Sequence, residues 1–250
     1  MRRFSLLINA VTLLLLTAGP VSAGKIVDIG INAAQPPFSF QTDHQEGLIF
    51  DIVNALNSYQ DTYTFRTNVY PTQRILRSPE RLQMHIVAFN DENWGWSQRG
   101  GKGSLTLTDG MDVFVALKDN SERETIGAVQ GYHYAFADYD PEKLAAMKNV
   151  TAVKNEEAVL ELILRQRVDR GVISLAFLRW IKVLRPDDYA KLEIVDKPDH
   201  IYNRQFILFS WSSIDIDALN DLLVQMKEDG ILKSVFAKYG LPAPPLRQHP

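Results

Sequence analysis

Short apolar runs alternate with amphipathic stretches along the chain, which is the pattern of strands and helices taken in turn. Ile26–Ile31 reads as a strand. Pro36 and Pro37 end it, because they lack amide hydrogens and force extended backbone before them, so Phe38 and Phe40 sit on an irregular loop. From Gly47 the spacing turns helical, with Leu48, Ile49, Ile52, Val53 and Leu56 on one face. Tyr63–Tyr70 has the aromatic and β-branched content of a strand. Pro71–Leu82 predicts a short helix that Pro79 ends or kinks, and Met84–Phe89 a strand apolar enough for a sheet interior. Asn90–Gly103, NDENWGWSQRGGKG, is an insertion whose glycines oppose a helix. Leu105–Leu117 is strand-like, broken by a turn signal at Asp109-Gly110. The charged stretch Lys118–Glu124 lacks apolar periodicity and is expected to cross into a second lobe.

The pattern then repeats in kind. Thr125–Val129 is a strand, and Gly131–Phe136 is expected to start a helix. Val150–Val153 is a strand, and Asn155 caps an amphipathic helix with Ala158, Leu160, Leu162, Ile163 and Leu164 as its apolar positions. Val168–Leu175 predicts a strand and Ala176–Leu184 a helix stopped by Arg185-Pro186. Leu192–Val195 and Phe206–Trp211 are the last expected strands, the second returning the chain to the first lobe. Ile214–Tyr239 is helical, divided at Gly230. Strand followed by helix in this order predicts a mostly parallel sheet.

Composition narrows the function classes. The chain has 250 residues, 46% of them hydrophobic, enough for one large domain or two lobes. Arg2 and Arg3, the apolar run Phe4–Leu16 and the small residues Val21-Ser22-Ala23 read as a secretory signal, so residues 1–23 are set apart and the mature start is expected at Gly24. No apolar run is long enough to cross a bilayer comfortably, so stable membrane insertion is not expected. The leader takes two arginines and no acid, leaving 25 basic against 30 acidic residues and a net charge of −5. Without a basic cluster, nucleic acid is a poor candidate partner. The absence of cysteine excludes disulfides, thiolate catalysis and a lipid-modified cysteine. Five histidines show no metal-ligand spacing, GGKG at 100–103 is not a phosphate loop, and no GxSxG occurs. No cofactor is expected, and the chain is read as non-catalytic.

Several stretches resemble the family-3 periplasmic solute-binding proteins. Pro36, Pro37, Phe38, Gly47 and Asp51 match that family's PPF-type loop and Gly-x-x-x-Asp helix start. NEEAVLELILRQRVDRGVIS is similar to its second-lobe helix and strand entry, and EDGILKSVFAKYGL to its C-terminal signature. The matches run in order through the mature chain. The resemblance implies a type II periplasmic-binding-protein-like fold, α/β, with two Rossmann-like lobes joined by two hinge crossings. Residues 24–118 with 206–250 are expected to form the first lobe and 119–205 the second. The implied function is a periplasmic protein that closes on a small polar ligand, anionic in one reading, and serves an inner-membrane ABC permease or a sensor. Two other classes stay open: a dehydratase-like periplasmic enzyme on the same scaffold, and a partner-binding scaffold with no small-molecule ligand.

Phe38, Asp91, Trp94, Arg99, Tyr132 and Ser174 are the residues expected to line the cleft. In amino-acid-binding members an arginine after the third strand clamps the ligand carboxylate. Arg99 falls near that place and has the planar donors for it, or it is a solvated loop arginine. The family's acidic position on the second lobe falls on Ser174, which cannot neutralise an ammonium group, so an ordinary α-amino acid is not the expected ligand. Trp94 and Trp96 either stack on a ligand or pin the insertion, and alternation lets at most one face the cleft. Gln130, Gly131, Tyr132 and His133 would offer free amides to an anion at the expected helix start.

Overall fold

The structure, a computed structural model, describes residues 24–33, 35–40 and 45–248; the expected leader, residues 1–23, lies outside them. In chain order the elements are β1 (Lys25–Asn32), α1 (Leu48–Tyr59), β2 (Tyr63–Tyr70), α2 (Thr72–Arg77), β3 (Ile86–Asn90), β4 (Gly101–Gly103), β5 (Thr108–Leu117), β6 (Ile126–Val129), α3 (Pro141–Ala146), β7 (Val150–Val153), α4 (Glu156–Leu164), β8 (Arg170–Ser174), α5 (Leu175–Leu184), α6 (Pro186–Tyr189), β9 (Leu192–Phe209), α7 (Ile216–Glu228) and α8 (Ile231–Ala237). The strands join in the order β2-β1-β3-β9-β5-β8-β6-β7, with β4 also on β9. β1 pairs in parallel with β2 and β3, and β6 with β7 and β8, whereas β5 and β9 run antiparallel to their neighbours.

Each parallel trio is covered on both faces, as strands without a solvent side must be. Val27, Ile29 and Ile31 of β1 pack with Leu48, Ile52 and Leu56 of α1 and with Leu219, Leu223, Leu232 and Phe236 of the last two helices. On the other face of this sheet, Val87, Ile207, Phe209, Ile75 and Trp96 form a smaller core. In the second half, Val113, Val115 and Val129 meet α4 and α5 through Val159, Leu160, Ile163, Phe177 and Ile181. Phe114, Ala116, Ala128 and Val172 face the opposite way, onto Tyr134 and Leu144. This is the two-lobed α/β arrangement, with β5 and β9 as the two crossings.

Three local expectations are corrected. β9 is one long strand, not two, because Asp196–Asp199 bulges out between the pairs Phe114↔Val195 and Asp112↔His200. Asp196 takes φ 61 there, and Pro198 sits where the ladder needs no donor. Asp109-Gly110 makes no turn: both residues lie within β5, and Gly110 is paired with Tyr202, whose ring occupies the space a side chain would need. Finally, no α-helix starts at Gly131–Phe136, only a single 3-10 turn at Ala135–Ala137. Gly131 turns at φ 85, and Asp199 from the β9 bulge accepts the N–H groups of Ala135 (2.7 Å) and Phe136 (3.0 Å). Of the amides expected to meet an anion, those of Gln130 and Tyr132 are already used, donating to the carbonyls of Val153 (2.8 Å) and Val129 (3.3 Å).

Candidate functional site

β5 and β9 run side by side, so Thr108, Gly110 and Asp112 share one face with their partners Arg204, Tyr202 and His200. Because Gly110 has no side chain, the Tyr202 ring lies flat enough for its hydroxyl to donate to Asp112 (2.9 Å). Arg204 Nη2 in turn donates to the Tyr202 oxygen (2.8 Å). The Arg204 guanidinium lies 4.3 Å from the Phe38 ring centre and 4.9 Å from that of Tyr202, and the residue is 1% exposed. A charge so buried needs groups that stabilise it, here two aromatic faces and a hydroxyl, while its Nε and Nη1 have no partner among the described residues.

Beside this ribbon lies a cavity of about 20 Å³, room for one water-sized body. From the first lobe it is lined by Asn32 and Asn90 at the carboxyl ends of β1 and β3, by Gln35, by Thr72 and Leu76 of α2, and by Trp94. Asp112 and Tyr202 of the ribbon, and Gly131, Tyr132 and His133 after β6, close it. Carboxyl ends of parallel strands are where open α/β sheets hold ligands. A separate pocket of about 290 Å³, which shares Thr72 with this cavity, is lined by Ala33, Pro71, Gln73, Gln130, Lys154 and Asn155. A larger groove, about 530 Å³, lies by Met111 and Ile201, which point away from this face; Ile201 is well exposed. The smaller cavity is the better site because it holds buried polar groups with unused hydrogen-bonding atoms: Asn32 Oδ1 and Gln35 Oε1 have no partner among the described residues.

The electrostatics are unusual. Asp112 is 5% exposed, and its pKa is raised, chiefly by burial, although His200 and Arg204 oppose the rise. Glu156, in the first turn of α4, accepts the backbone N–H of Ser174, while its other oxygen has no partner. Its pKa is pushed up to about 7 by burial above all, against the Ser174 N–H. Burial also lowers His133 to about 4, with the charges of His200 and Arg99 adding to it, so the imidazole is neutral at physiological pH. His133 stacks on Trp94 across the cleft, with centroids 5.4 Å apart and planes at 7°. Among the described residues no cluster of His, Asp and Glu could hold a metal ion.

Of the residues singled out from the sequence, Trp94 and Tyr132 line the cavity. Phe38 is a buried platform under Arg204. Asp91 is buried, accepting the N–H of Asn203 (2.7 Å) and of Asn93 (2.9 Å), and thereby ties β9 to the insertion. Ser174 caps α5 by accepting from Phe177 (3.2 Å), and it is not among the cavity-lining residues. Arg99 is exposed: it donates to the Leu76 carbonyl and lies over Trp96, outside the lining. The two tryptophans part as expected, Trp96 into the core against Phe209 and Trp94 into the cleft, but the cause is the turn at Gly95 (φ 78), since residues two apart in an extended chain share a face. Sequence reasoning missed Asp112, Tyr202, Arg204 and Glu156. A signal existed for Asp112, a charge between Met111 and Val113 in a run otherwise apolar; Tyr202, Arg204 and Glu156 lie among polar neighbours that hide them.

No family model matches the chain, and no curated protein matches it. Solved structures are similar in fold. One is the arginine-, lysine-, histidine-binding protein ArtJ from Geobacillus stearothermophilus, 16% identical over 89% of this chain and 98% of that one, with a TM-score of 0.70. Another is an ABC uptake transporter substrate-binding protein from Streptococcus pneumoniae with bound histidine, 13% identical over 88% and 94%, with a TM-score of 0.72. A third is an ancestral amino acid-binding protein, a precursor of cyclohexadienyl dehydratase, 18% identical over 86% and 95%, with a TM-score of 0.66. The fold is periplasmic-binding-protein-like.

Proposed function

We propose that this protein is a non-catalytic solute-binding protein that closes two lobes on a small polar ligand. The lobes are read as 24–118 with 206–250, and 119–205; the separate apolar cores support two lobes, with the difference that Val113 and Val115 of β5 pack into the second, which favours a first crossing inside β5 over one at Lys118–Glu124. One observation carries the reading: polar side chains from both halves, buried Asn32, Gln35 and Asp112 on one side and half-buried His133 on the other, converge on one cavity at the carboxyl ends of the strands. A cleft filled only to stabilise a scaffold would be lined by apolar groups, because each unpartnered buried polar atom costs about 1–3 kcal/mol. A ligand bound by both halves favours the closed arrangement, which is how such a protein would report to an ABC permease or a sensor. The leader-like N-terminus supports a periplasmic location, and no helix among the described residues is long and apolar enough to cross a membrane.

Calorimetric titration with amino acids, amines, dicarboxylates, sugars and aromatic acids tests this, with small-angle scattering to follow compaction. A ligand that binds and shrinks the radius of gyration supports it; silence in every class refutes it. The enzyme reading draws on one observation, the buried Glu156 with its pKa near 7. Glu156 does not line the cavity, so binding is the better reading. Conversion of a bound compound, followed by mass spectrometry, would reverse that order.

A further inference from the structure

The charge of the cavity says which class of solute fits it. Asp112 is the one ionisable carboxylate in the lining, and no lysine or arginine lies there. Arg204, the nearest buried cation on the ribbon, is outside the lining, turned between the Phe38 and Tyr202 rings with Nη2 on the Tyr202 hydroxyl. Arg99 is directed to the Leu76 carbonyl on the surface. A carboxylate brought into this cavity would meet Asp112 at close range, while the cations that act on the lining, Arg204 and Arg99, stay outside it, and two like charges in a desolvated site repel.

An ammonium group meets the opposite conditions. Asn32 Oδ1 and Gln35 Oε1, both more than nine-tenths buried, are acceptors without donors. The rings of Trp94, Tyr132 and Tyr202 line the same space, an aromatic surround of the kind that suits a cation. The volume, about 20 Å³, suits a compact head and no more. The neighbouring pocket shares Thr72 with the cavity and is the nearest room for the remainder of the ligand, which would lie beside Lys154. A second positive charge at that end would meet Lys154. Resting on the solute-binding reading above, we infer that the interlobe site takes a small organic monoamine without a carboxylate. Its ammonium group pairs with Asp112 and donates to Asn32 and Gln35, under the ring of Trp94.

The test is calorimetric titration of the intact protein with ethylamine, ethanolamine, putrescine, glycine and acetate. The expected order is either monoamine over putrescine and glycine, with acetate silent. Asp112→Asn keeps an oxygen for the Tyr202 hydroxyl while removing the charge, and it should weaken monoamine binding at least tenfold. Asn32→Leu, on the other wall, should also weaken it several-fold, and melting curves of both variants establish that they fold. If glycine or acetate binds as well as the amines, or Asp112→Asn binds ethylamine unchanged, the inference is overturned while solute binding stands. If none of these probes binds but a sugar or dicarboxylate does, the amine inference alone falls. If nothing in the wider panel binds, both readings fall together.

Discussion

Replacing Glu156 with Gln should leave stability unchanged in acid and raise it at neutral pH and above. The carboxyl is 2% exposed, and its pKa rises from 4.5 to about 7. Burial is the largest cause, the Ser174 N–H works against it, and Asp112 nearby adds to the rise. The folded chain therefore holds this proton more tightly than the unfolded chain, in which the group titrates at its ordinary value. The stability tied to that proton is whole below about pH 4.5 and is lost as pH climbs to about 7. At about 1.4 kcal/mol per pH unit over that interval, the loss reaches about 3 kcal/mol. Gln keeps an oxygen for the Ser174 N–H and removes the titration. Urea unfolding of both proteins at pH 4.5, 6 and 8 should give a difference near zero, then about 2 and about 3 kcal/mol, the variant being the more stable. Both proteins share every other titrating group, so the difference isolates this one. A gap that stays flat with pH, or a variant weaker than wild type at pH 8, would refute the assignment of a buried, protonatable Glu156.

Other substitutions probe the frame around the site. Gly110→Ala puts a methyl group into the Tyr202 ring and should cost about 1–3 kcal/mol in thermal or urea unfolding, with the Tyr202 hydroxyl displaced from Asp112. Trp96→Ala, in the core, should cost about 3–5 kcal/mol in the same assay, whereas Trp94→Ala should cost much less and instead weaken whatever ligand the panel identifies. Asn155→Ala removes the side chain that accepts the Ala158 N–H at 2.9 Å and should destabilise by about 1 kcal/mol, roughly 2–4 °C in melting temperature.

Apolar periodicity is a local property, and what it governs was legible. Leu48, Ile52 and Leu56 gave α1, Asn155 and the following leucines gave α4, and Gly230 divides α7 from α8 as its position after an apolar stripe suggests. The misreadings have a common cause. Asp109-Gly110 reads as a turn and 196–205 as a gap between strands on local grounds, yet each is set by something distant: Gly110 by the Tyr202 ring across the ladder, and 196–205 by pairing with β5 around a bulge that lets Asp199 reach residues 135 and 136. The same distance hid the site. Asp112 and Tyr202 lie 90 residues apart, Glu156 and Ser174 lie 18 apart, and only the register of β5 against β9 puts Arg204 opposite Thr108. What the sequence does carry is one anomaly, Asp112 between Met111 and Val113; Arg204 joins it only in the structure, both being charges in strands whose neighbours are buried on both faces. Such residues weaken a core, because a buried charge without full compensation costs several kcal/mol. Their presence on one face of the ribbon that joins the lobes, beside unpartnered amides of Asn32 and Gln35, follows if that face meets a polar solute. A purely structural ribbon gives no reason for it.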